Sequence, residues 1–268
     1  TLVLYSTLTL REAYVWFFLL VALYGIACWF YSGGGWSFVL AVSGFICATF
    51  FHGAMIFGLV FISLAIIYES GKRVIKALSR KKLNLKATVL SLAALFVAIF
   101  FFFGSYNLPK IGSFKEAINF ERLEEFSSKT TRSSKGQGGA SMPEWTVPSS
   151  PSELFYKIPI RTIYFAFSPF PWDVSSSRHL IGLLDAILYI ILFFFIGRNR
   201  NAIISNISTR YVLIIIVGYF FIFGFAVGNF GTGIRHRAKF VSALIVLAAP
   251  ALPRIRLGKW RQRSYSVS

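Results

Sequence analysis

YVLIIIVGYFFIFGFAVGNFGTGIRHRAKF, residues 211–240, sets an uncharged apolar run against a glycine-rich link holding Arg235, His236, Arg237 and Lys239. The first part, residues 211–228, is long enough to cross a hydrocarbon core as a helix, which takes about 20 residues. A second apolar stretch, FVSALIVLAAPALP at 240–253, follows the cations directly. Charges confined to a short link between two apolar segments are the pattern of a chain that lives in a bilayer.

The whole composition agrees. Of 268 residues 56% are hydrophobic and 14% charged, where a soluble domain carries roughly a quarter charged residues. The net charge of +18 does not indicate nucleic acid, because the basic residues gather in short links between apolar runs, as the cytoplasmic loops of membrane proteins do. Cys28 and Cys47 lie inside apolar runs without CxxC spacing and read as small buried hydrophobes. No signal peptide pattern precedes the first span. The chain begins at Thr1 rather than Met, and we expect it to be the C-terminal part of a longer protein.

Working outward, AYVWFFLLVALYGIACWFY at 13–31 reads as a first span, ended by the glycines at 33–35. Residues 36–68 form an apolar run that as one helix would extend roughly 50 Å, against a core of about 30 Å. It is therefore expected to break at His52-Gly53 into two short spans. Seven Lys and Arg between residues 72 and 86 mark a cytoplasmic link. Residues 87–104 then run outward, and 105–160 form a long outer segment whose part at 133–152 is Ser, Gly and Pro rich and reads as an exposed, mobile loop. RTIYFAFSPFPW at 161–172 is too short to span and is expected to lie in or dip into the outer interface. Residues 179–197 return inward to the basic RNRN, 211–228 go out, and 240–253 lead in to a tail with five Lys and Arg.

The expected fold is thus an all-α integral membrane protein. It is a polytopic helical bundle of about seven transmembrane helices with one long extracytoplasmic loop. Its parts are N-terminal helices over 1–104, an extracytoplasmic region over 105–178 and C-terminal helices over 179–268. The N-terminus lies out and the C-terminus in, so that Arg11, His52 and the Arg235–Arg237 cluster share the outer face.

Three cations in an outer link oppose the charge bias that orients the other links. Arg235, Arg237 and Lys239 could snorkel to headgroups. Gly231 and Gly233, however, let a backbone approach a ligand closely, and the start of the final helix attracts anions. Two arginine forks at 235 and 237 in a glycine-rich turn suit a diphosphate. Arg11 and Glu12 open the first helix and read equally as a local ion pair. His52 reads as a hydrogen-bonded structural residue or, with an ordinary pKa near 6.5, as a proton acceptor. Asp185 is an acid well inside a span, either hydrogen-bonded to a neighbouring helix or functional. With no clustered His, Cys or acidic ligands, neither a metal site nor another cofactor is supported.

LYSTLTLREAYVWFFLLVALY, the helix pair joined at FFHGAM, the long outer segment, SPFPWD and GNFGTGIRHRAKF together resemble the C-terminal half of bacterial oligosaccharide repeat-unit polymerases of the O-antigen and capsule (Wzy) type. The resemblance implies a glycosyltransferase of the bacterial inner membrane with its active face outward. Such an enzyme joins undecaprenyl-diphosphate-linked repeat units, with that lipid-linked glycan, membrane lipids and a chain-length regulator as partners and with no nucleic acid. It implies diphosphate contacts at Arg235, Arg237 and Arg11, with Gly231 and Gly233 beside them. His52, His236 and Glu12 are then the candidate bases, unranked. Members usually have ten or more helices, which agrees with missing N-terminal spans. The alternative readings are an O-antigen ligase or another lipid-sugar-dependent glycosyltransferase, and a transporter or flippase for an anionic lipid or glycan with Asp185 as coupling group.

Overall fold

Two glycines decide how the first helices meet. Helix α1 (Leu2–Ser32) turns at Gly33, whose φ of +71° is open to glycine at little cost, into α2 (Gly35–Phe51). A Cβ on Gly25 would come within 2.5 Å of the Ala41 backbone nitrogen, and one on Gly44 within 2.8 Å of the Ala22 nitrogen. Small residues on both sides let the two backbones touch, the usual device for packing helices that have no polar surface between them.

The computed structural model describes residues 2–79, 141–174 and 177–252. The expected span at 87–104 and most of the long outer segment lie outside these residues. Among the described residues the fold is helical, with one isolated bridge between Ser141 and Asn229. The break expected at His52 is present. His52 is extended (φ −149°, ψ 105°) and donates its N–H to Ala48 O, ending α2, and a 3-10 turn at Gly53–Ile56 leads into α3 (Phe57–Ser79).

After the bridge, α4 (Leu154–Phe167) and a 3-10 turn at Pro171–Asp173 precede α5 (Ser177–Arg198). A short α6 (Arg200–Ser205) leads to α7 (Ile207–Ala226), whose start is capped by the Asn206 side chain. Helix α7 is the centre: Ile215, Ile216, Tyr219, Phe220 and Phe223 are buried against α1, α3, α4 and the last helices. Helices α8 (Phe230–Arg237) and α9 (Val241–Ala248) follow, joined by a 3-10 turn.

Three described helical stretches, Arg11–Ser32, His179–Arg198 and Ile207–Ala226, are long and apolar enough to cross a membrane, with shorter apolar helices at Gly35–Phe51 and Gly53–Glu69. Large apolar side chains also face outward, Ile181, Leu184 and Phe194 on α5 among them, which suits lipid surroundings better than water.

Two polar clusters mark the ends of the bundle. At one end Glu69 accepts from Lys72, Arg210 and the Tyr211 hydroxyl, and Ser208 donates to Ala27 O. The links that hold Lys72 and Arg198–Arg210 therefore meet at the same end. At the other end stand Arg11, His52 and the residues of α8.

One expectation is corrected. Residues 141–152 are not a free loop: Met142, Thr146 and Pro148 are buried, Met142 N–H donates to Gly228 O, and Lys157 donates to Val147 O. The segment 161–172 packs into the bundle at its start and is exposed at Pro171 and Trp172. Gly224 of α7 packs on the Thr162 backbone, and Arg161 is fully buried.

Candidate functional site

Asn229 decides how the glycine-rich link folds. Its side chain accepts from the N–H groups of Gly231 and Thr232 and starts α8 there, as an Asn N-cap does. GTGIRHR is thus helix and not a ligand-cradling turn, which corrects the expectation for Gly231 and Gly233. The N–H groups at the α8 start are occupied by Asn229. The start of α9 is occupied too, since helical geometry runs into it through Ala238–Phe240.

A helix also separates the two arginines, because positions i and i+2 face different ways. Arg237 points inward and is fully buried. Its Nε and Nη2 donate to Asp185 Oδ2 at 2.8 and 2.6 Å, and its Nη1 to the carbonyls of Phe165, Ala166 and Ser168. Its guanidinium lies 4.9 Å from the centre of the Tyr189 ring. A fork engaged on both edges cannot clamp a diphosphate, so Arg237 is a staple joining α8, α4 and α5. Asp185 is its partner, as the hydrogen-bonded alternative for that residue requires.

Arg235 takes the opposite face. Its side chain is 45% exposed, and its Nε and Nη2 both reach Glu12 Oε1 at 2.9 Å. Glu12 Oε2 meets Lys239 Nζ at 3.0 Å. The local Arg11–Glu12 pair is not what forms: Arg11 Nε donates to Phe51 O at 2.6 Å and closes the end of α2, where a cation suits the helix dipole. Residues 11, 12, 51 and 52 are thus brought to 235–239.

His52 and His236 complete the recess. Their rings meet edge to face at 5.0 Å, and both pack on Phe223. Lys239 Nζ lies 2.7 Å from His236 Nδ1. An ammonium only donates, so Nδ1 accepts and the ring proton sits on Nε2. Burial, helped by Lys239, holds the His236 imidazole at a pKa of about 2 and the His52 imidazole at about 4. Both rings are neutral at pH 7. Burial also lowers Lys239 to about 8, with Glu12 opposing the shift, so it remains largely protonated. His52 Nδ1 is buried without a hydrogen-bond partner.

Arg235 and Lys239 hold the Glu12 carboxylate and Arg11 stands close by on Phe51 O, so three cations and one carboxylate give a local charge of +2. Among the described residues no three His, Cys, Asp or Glu gather as metal ligands.

Sequence reasoning passed over Arg161. Its donors hold the carbonyls of Gly224, Phe225 and Val227 at the end of α7, satisfying groups that a helix C-terminus leaves open. The available signal was a lone arginine heading the apolar run RTIYFAF.

No family model, curated protein or solved structure matches the chain.

Proposed function

We propose that the chain is the catalytic part of a membrane glycosyltransferase that joins lipid-diphosphate-linked oligosaccharide repeat units, as the resemblance to Wzy-type polymerases implies. The observation that carries this reading is the recess itself. It is a +2 cluster built from α1, the α2–α3 break and α8, with the neutral ring of His52 beside it.

The charge suits a diphosphate leaving group. Arg235 presents the exposed fork, Lys239 adds charge from within, and Arg11 lies at the rim. An acceptor sugar hydroxyl attacks the anomeric carbon of the lipid-linked chain. The new C–O bond forms as the bond to the diphosphate oxygen breaks, and that oxygen leaves with the electron pair and is stabilised by the cations. The hydroxyl proton needs an acceptor. His236 Nδ1 is held by Lys239, and Glu12 is shared between two cations, so His52 is the base in this scheme. Burial and then the neighbouring cations depress its pKa, and the arriving diphosphate offsets the cations and makes it a better acceptor. In the transporter reading Asp185 would exchange protons, yet it is already bound to Arg237.

The test is polymer length by gel in a strain carrying the intact gene. Arg235→Lys keeps the charge and loses the fork. It should reduce polymer at least tenfold at normal protein abundance, and His52→Ala should do the same. Unchanged polymer in both variants would refute the assignment.

A further inference from the structure

Four aromatic rings from three segments form a continuous ledge at the same end of the bundle as the recess. Trp145 meets Tyr164 edge to face at 6.1 Å, Tyr164 meets Phe170 at 5.1 Å, and Phe170 stacks on Trp172 at 4.8 Å with planes 9° apart. Tyr164 and Phe170 are half-buried, while the end rings are open, Trp145 at 58% and Trp172 at 74% exposure. We propose that this ledge binds the glycan, with Trp172 and Trp145 as stacking platforms for pyranose rings, an inference that rests on the glycosyltransferase reading.

Three features favour a carbohydrate over a lipid belt. The first is construction. A belt aromatic needs only to reach the headgroup level, whereas both tryptophans here sit in short 3-10 turns, Glu144–Thr146 and Pro171–Asp173, each braced from within. Asp173 Oδ2 accepts from Phe170 N–H, Thr146 donates to Pro143 O, and Lys157 ties Val147 to α4. A platform fixed in advance loses little entropy on binding.

The second is geometry. Because Phe170 covers one face of Trp172 in parallel, the other face is presented flat. A pyranose offers a flat face of C–H groups to the electron-rich face of such a ring, and its hydroxyls reach polar groups at the edge.

The third is continuity with the recess. Met142 N–H donates to Gly228 O beside the Asn229 cap of α8, the helix that carries Arg235. Tyr164 lies next to Phe165, whose carbonyl Arg237 holds. A glycan whose diphosphate end occupies the recess can therefore run onto the ledge.

The experiment uses the full-length protein in detergent and, as probe, oligosaccharides released by mild acid from the surface polysaccharide of the strain that carries the gene. Calorimetry should show binding that weakens about tenfold in Trp172→Ala and in Trp145→Ala and is largely kept in Trp172→Phe. Lys72→Ala, at the opposite end of the bundle, should leave the binding of these fragments unchanged. In cells Trp172→Ala should shorten the polymer without stopping the joining of units. Wild-type binding by both alanine variants would overturn the ledge, as would an effect confined to membrane insertion with binding intact. If deleting the gene leaves polysaccharide length unchanged, the polymerase reading fails, and the ledge is still judged by the binding data alone.

Discussion

Arg237 and Asp185 lie 2.6 Å apart between α8 and α5, and the arginine of the pair has no exposed surface. Removing one partner of such a pair leaves an uncompensated charge, and here three carbonyls as well. Arg237→Met should cost about 3 kcal/mol of stability, seen as reduced abundance and a lower melting temperature in detergent. Asp185→Leu combined with Arg237→Met should recover part of that loss. Arg235→Lys should melt like the wild type, because its side chain is half-exposed. Equal destabilisation by Arg235→Lys and Arg237→Met would contradict the division of labour between the two.

The α1–α2 hairpin gives a steric prediction. Gly25 and Gly44 each face backbone of the other helix at less than 3 Å from an added Cβ, so relief requires the helices to part. Gly25→Leu and Gly44→Leu should each destabilise by about 1–3 kcal/mol or more. Gly71, around which a Cβ meets nothing within 4 Å, serves as the control and should tolerate Ala. Thermal unfolding of the three variants decides the matter.

Much of this arrangement could be read in the residues, and what could not has a physical cause. The break at His52 follows from length alone, since residues 36–68 overrun any bilayer as a single helix. The gathering of residues 11, 52 and 235 at one end is what the alternation of spans expected between basic links would give. Partners across the sequence were not legible. Asp185 and Arg237 are 52 positions apart, and nothing in either neighbourhood names the other, so a buried staple looked like half of a clamp. The glycines of GTGIRHR suggested a turn, while Asn229, a cap signal just ahead of them, carried the better information.

Topology is checked by labelling. In a chain with Cys28 and Cys47 replaced by Ala, a cysteine at Ser205, exposed at the Glu69 end, should be shielded from an impermeant external thiol reagent in intact cells. One at Ser152, exposed near the ledge, should react. The prediction joins the positive-inside rule to the observed clustering of Lys72 with Arg210. Labelling of Ser205→Cys from outside would invert the scheme and move the recess to the cytoplasmic face.

The paired imidazoles give a pH dependence whose sign is set by burial. An unfolded His takes a proton near 6.5, but folded His52 resists it until about 4 and His236 until about 2. Below 6.5 the unfolded chain therefore binds more protons than the folded one, and stability falls as pH falls. For His52 the loss runs from 6.5 down to about 4, and His236 continues it below. His52→Asn removes one of the two groups, so its melting temperature should decline less steeply between pH 6.5 and 4 than that of the wild type. Above 6.5 both imidazoles are neutral in either state, and the difference between variant and wild type should stay constant up to the range where Lys239 titrates, near 8. Melting curves taken from pH 4 to 7.5 in detergent measure this directly. Parallel acid slopes for His52→Asn and wild type would mean that the His52 ring takes up its proton as easily in the recess as in water.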